Sequence, residues 1–166
     1  MANIGFAERL VRILTERGEL LAAAESCTGG LAADHIVRIP GASGVFWGSF
    51  VCYTEGAKQK MLGLPEEFIK SHGAVSQPVA LAMAEGALEK SGASWAFSVT
   101  GLAGPGGGTE ETPLGTVWIG LARREGQGLI GSEARLFHFS GSRRDIREAA
   151  ASAALEALLT IIQSKK

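Results

Sequence analysis

Between residues 3 and 18 apolar side chains recur at helical spacing, Phe6, Leu10, Ile13 and Leu14, with charges between them and Gly18 behind them. That spacing predicts an amphipathic opening helix, stopped by a residue that tolerates a left-handed backbone. The pattern then changes. Leu20 to Glu25 is a short, nearly uncharged run, as expected of a strand covered on both faces. A second helix follows and ends before Pro40. Val45 to Tyr53 (VFWGSFVCY) is aromatic and β-branched and predicts a strand. Glu55 to Leu62 has helical composition up to Gly63, and Pro65 opens another short helix. Gln77 to Lys90 predicts a helix with Pro78 tolerated in its first turn, and Trp95 to Thr100 a buried strand.

Beyond the loop from Gly101 to Leu114, Thr116 to Ala122 and Ala134 to Phe139 flank a turn at Arg124 to Gly128 and pair as a hairpin. Ser140 or Ser142 caps a last helix whose Ile146, Ala149, Ala150, Ala153, Leu158 and Ile161 form an apolar stripe. Helices that alternate with apolar strands, then a strand pair and a terminal helix, predict an α/β fold. The expected form is a three-layer α/β/α sandwich around a mixed sheet, in a single domain over residues 1–166, with no repeat and no interdomain linker.

Composition narrows the function. The 46% hydrophobic content with 20% charge is that of a folded chain rather than a disordered one, and a net charge of -1 supplies no general field for nucleic acid or an anionic membrane. No run of about 18 uncharged apolar residues predicts a membrane span, and Glu8 and Arg9 interrupt any secretory leader. Cys27 and Cys52 lack zinc or redox spacing, so reduced thiols in a cytoplasmic protein are expected. The alanine-rich helix faces leave a homo-oligomer open, since two-fold assembly and core packing account for them equally.

Four segments could carry chemistry. Glu25-Ser26-Cys27-Thr28-Gly29-Gly30 is a hydroxyl-rich strand-to-helix junction, where free amides suit an anion or a reacting carbonyl; an ordinary helix cap is the plain alternative. Ser26 lies in neither G-x-S-x-G nor S-x-x-K, and His35, His72 and His138 show no ligand or triad spacing. A base for Ser26 must come from elsewhere. Tyr53 to Lys58 offers one, because a desolvated lysine can lose its proton near neutral pH and take a hydroxyl proton directly or through a phenol. A core ring and a solvated charge are the alternative. The glycine-rich loop from Thr100 to Thr109 could aim amides at a phosphate or an oxyanion, or merely connect strands. Phe139 to Arg147 brings three arginines to a helix start, where one could grip phosphate, and spacing does not select among them.

Taken in order, AESCTGG, the Tyr53 to Lys58 segment, HGAVS at His72 to Ser76, TGLAGPGGGT, PLGTVWIGLA and FSGSRRDIR resemble the successive blocks of the CinA (competence/damage-inducible) C-terminal domain family, over roughly Phe6 to Leu159. The resemblance implies a stand-alone amidohydrolase that deamidates nicotinamide mononucleotide to nicotinic acid mononucleotide and ammonia in pyridine-nucleotide salvage, without metal or cofactor. It implies Ser26 as nucleophile with Lys58 and Tyr53 as proton-transfer partners. Thr28, Gly29, Gly30, Thr100, Gly101 and Gly104 are implied in substrate binding, and Arg143 in binding the 5′-phosphate. Cys27 is the rival nucleophile, and a non-catalytic pyridine-nucleotide-binding module is the rival function. The chain departs from the family at Thr112, where lysine is common, at Ser142, where aspartate is, and at Glu55, where asparagine is.

Overall fold

The computed structural model describes residues 2–125 and 128–165. Helix α1 (Ala2–Arg17) leads into β1 (Leu21–Glu25), α2 (Leu31–Val37) and, past a short 3-10 turn, β2 (Phe46–Val51). Then come α3 (Glu55–Leu62), α4 (Glu66–His72), α5 (Gln77–Ser91), β3 (Trp95–Gly101), β4 (Thr116–Glu125), β5 (Leu129–His138) and α6 (Arg143–Ser164). The five strands form one sheet in the order β2-β1-β3-β4-β5, with β1 parallel to β2 and β3, and β4 antiparallel to β3 and β5.

The apolar runs explain the layers. All five residues of β1 are buried, and alternate side chains enter different cores. Leu21 and Ala23 join Phe97, Val99 and Ile119 beneath α1, α2 and α6, while Ala22 and Ala24 join Ala96 and Ala122 beneath α5. Small residues on the α5 side let that helix lie close. The Ser98 hydroxyl donates to the Ala80 carbonyl of α5 at 2.6 Å and accepts from the Gly120 amide, and a Cβ at Gly120 would collide with that carbonyl. The α/β/α sandwich with a mixed sheet is therefore as the periodicity predicts.

Two strand boundaries differ by three residues or more. β5 begins at Leu129 rather than near Ala134, and β4 runs on to Glu125 rather than ending at Ala122. Gly131 and Ser132 are poor strand formers, yet they pair with Arg123 and Ala122 across the hairpin, so the ladder overrides propensity. Residues 126 and 127 of the predicted turn lie outside the described residues. Ser142 rather than Ser140 caps α6. Its hydroxyl accepts from the Asp145 amide, and the Asp145 carboxylate in turn accepts from the Ser142 hydroxyl at 2.6 Å and from the Ser142 amide at 2.8 Å; these last two bonds hold the carboxyl below its usual range.

Candidate active site

β1 ends at a fully buried carboxylate. Glu25 Oε2 accepts from the Gly30 and Ala32 amides, and Oε1 from the Ala33 amide, each at 3.0 Å; Ser49 Oγ adds a bond at 2.9 Å. The first amides of α2, which the sequence offers to a ligand, are thus taken by the chain's own acid. The next residue turns away from the strand. Ser26 is buried, its amide donates to the Val99 carbonyl of β3 at 2.9 Å, and Arg147 of α6 fixes the turn by donating to the Cys27 and Thr28 carbonyls at 3.0 and 2.8 Å.

Helix α3 brings the partner. Thr54 caps it by accepting from the Ala57 amide, and Lys58, one turn in, is 2% exposed. Its Nζ lies 2.9 Å from Ser26 Oγ and donates to the Cys52 carbonyl at 3.2 Å. Burial lowers the Lys58 pKa from its ordinary value of 10.5, opposed by the nearby Cys52, Cys27 and Glu55. The neutral amine, whose lone pair can take the Ser26 proton, is correspondingly favoured. Cys27 is the opposite case: burial pushes its thiol up to about 11, which disfavours the thiolate a cysteine nucleophile needs.

A cavity of about 370 Å³ opens over this pair, and Ser26, Tyr53, Lys58, Thr100, Gly101, Gly104 and Arg143 all line it. The Thr100 hydroxyl is spent on the Ala74 carbonyl at 2.7 Å, tying the HGAVS segment to the end of β3. At Gly101 a Cβ would crowd Val117 and the Thr116 carbonyl. Arg143, at the start of α6, spans the mouth: Nη1 donates to the Gly104 carbonyl at 2.6 Å and Nη2 to the Tyr53 hydroxyl at 2.7 Å. The Tyr53 phenol is therefore on the arginine, and it is the Tyr53 carbonyl that lies 3.5 Å from Ser26 Oγ.

Thr28, Gly29 and Gly30 do not line the cavity. Gly30 gives its amide to Glu25, and the buried Thr28 hydroxyl has no partner among the described residues. Of the three arginines, Arg143 reaches the cavity and Arg147 holds the nucleophile turn, whereas Arg144 is exposed. Sequence reasoning gave no role to Glu25 or Arg147; the one available signal was a lone acid closing an otherwise apolar strand. Among the described residues no three histidine, cysteine or acidic side chains gather as metal ligands, and no helix is long and apolar enough to cross a membrane.

A buried lysine on a serine hydroxyl, set at the ends of parallel strands in an α/β/α sandwich, defines the class of site. The family model of the CinA C-terminal domain matches residues 4–162, and the chain belongs to that family. It is 52% identical over 87% of its length to a putative competence-damage inducible protein of Symbiobacterium thermophilum, of which it covers 35%. The chain thus spans about a third of the longer relatives of this kind. It is 44% identical to the nicotinamide-nucleotide amidohydrolase PncC of Escherichia coli K12, covering 92% of this chain and 90% of that one. The solved structure of the competence/damage inducible protein CihA from Agrobacterium tumefaciens superposes with a TM-score of 0.89 at 40% identity, covering 97% of this chain and 96% of that one.

Proposed function

We propose that this chain is a nicotinamide-nucleotide amidohydrolase, converting nicotinamide mononucleotide to nicotinic acid mononucleotide and ammonia by serine-based acyl transfer in cytoplasmic pyridine-nucleotide salvage. The observation that carries the reading is the 2.9 Å contact between Ser26 Oγ and the buried Lys58 amine, and the similarity to PncC supports the choice of substrate. Ser26 gives its proton to Lys58 as its oxygen bonds to the carboxamide carbon. Main-chain amides of the glycine-rich loop stabilise the oxyanion; those of Ala103 and Gly104 have no acceptor among the described residues. Lys58 then protonates the amide nitrogen, the C–N bond breaks and ammonia leaves. Water attacks the resulting ester, its proton returning through Lys58 to Ser26, and the acid is released. Arg143 takes the 5′-phosphate, with Thr100, Gly101 and Gly104 shaping the wall beside it. A relay role for Tyr53 requires its phenol to leave Arg143, an exchange that a phosphate competing for the same guanidinium favours.

The test is ammonia release from nicotinamide mononucleotide by the purified protein and by its Ser26→Ala variant. Turnover by the wild type and none by Ser26→Ala is expected. Full turnover by the variant removes the mechanism, and saturable nucleotide binding with no ammonia from the wild type leaves only a binding module.

A further inference from the structure

Among the described residues lining the cavity, Glu55 is the one acid, against two bases, Lys58 and Arg143. It stands at the first position of α3, three residues before Lys58, and is exposed. Residues three apart on a helix share a face, so Glu55 lines the same cavity from the helix that presents the Lys58 amine to the Ser26 hydroxyl. None of the ion pairs among the described residues occupies the Glu55 carboxylate. Its closeness is also felt by Lys58, whose pKa it raises against the larger effect of burial.

The charges of the site have a partner in the charges of the proposed substrate. Beside the Lys58 amine, whose neutral form the proposed mechanism uses, the lining carries one carboxylate, Glu55, and one guanidinium, Arg143. A nicotinamide nucleotide carries the reverse: a phosphate at one end, and at the other a ring nitrogen made permanently positive by its bond to ribose, a few bonds from the carboxamide carbon. We propose that Glu55 is a specificity residue that recognises this positive ring, so that the cavity selects pyridinium carboxamides over their uncharged dihydropyridine counterparts. The inference rests on the function proposed above and deepens it. Two plainer roles compete. A carboxylate at the first turn of a helix favours the helix dipole whatever is bound, and a carboxylate beside a nucleotide can accept from ribose hydroxyls. Neither distinguishes a charged ring from a neutral one.

The experiment exploits that difference. Nicotinamide mononucleotide and its reduced, dihydropyridine form are titrated calorimetrically into Ser26→Ala and into the double variant Ser26→Ala/Glu55→Gln. Loss of one partly screened charge pair is expected to weaken binding of the oxidised form about tenfold and to change that of the reduced form by less than about twofold. Equal weakening of both overturns the proposal in favour of a ribose contact, and no change in either leaves Glu55 as a helix-end acid. If neither form binds, the proposed function falls and this inference with it; binding with an unaltered ratio of the two affinities sinks the inference alone.

Discussion

Replacing Glu25 by glutamine keeps the shape of a fully buried side chain and removes its charge. Each carboxylate oxygen accepts two bonds, Oε2 from the Gly30 and Ala32 amides and Oε1 from the Ala33 amide and the Ser49 hydroxyl. A glutamine has one oxygen and one NH2. Of the four donors only the Ser49 hydroxyl can reverse and accept, so the NH2 settles on that side and faces the Ala33 amide. A buried donor without a partner costs about 1–3 kcal/mol, and losing the charge from the surviving bonds lowers them from about 1.5–3 toward about 1 kcal/mol each. Since the parts overlap, a loss of about 3 kcal/mol is expected, a fall in Tm of about 6–12 °C for a chain of this size. Urea unfolding followed by circular dichroism measures it, with the denaturant slope unchanged if only the native state is affected. A Glu25→Gln variant within about 0.5 kcal/mol of wild type would refute the view that these four bonds hold the junction.

Because burial lowers the Lys58 pKa from 10.5, the folded chain binds fewer protons than the unfolded one between the lowered value and 10.5, and stability rises with pH across that window. Lys58→Met is therefore expected to lose ammonia release and to lose that slope in urea unfolding followed across pH; a slope that persists in the variant would contradict this. Cys27→Ala is expected to keep turnover within about twofold, since the thiol is pushed up to about 11; inactivity with Ser26 intact would revive the rival nucleophile. Arg143→Ala should lower kcat/KM for nicotinamide mononucleotide by about 10–100-fold and leave nicotinamide riboside nearly unaffected. An equal loss on both substrates would place the phosphate elsewhere.

The layers of the fold were legible because periodicity and burial are local properties of the chain. Leu20 to Glu25 and Trp95 to Thr100 read as covered strands from composition alone, and β1 and β3 occupy those positions. The start of β5 was not legible, because Gly131 and Ser132 extend only where Arg123 and Ala122 lie opposite them. In the site, the partnership of Ser26 with Lys58 was an inference from chemical need, and it is a direct contact. The competition for amides was invisible. Nothing in the spacing from Glu25 to Gly30 says that the acid folds back onto the helix that follows it, or that Arg147, more than a hundred residues away, holds the same turn. The phenol of Tyr53 likewise depends on where α6 begins, which only packing decides.

Because α6 contributes Arg143 to the cavity mouth and Arg147 to the Ser26–Thr28 turn while packing with α1 and α2 on one side of the sheet, the cavity takes its shape only once that helix has docked. With α6 undocked, the turn that carries Ser26 loses the guanidinium that pins it and the Tyr53 phenol loses its partner. One helix thus couples the two ends of the site, so that a shift of α6 is felt at the cavity mouth and beneath the serine at once.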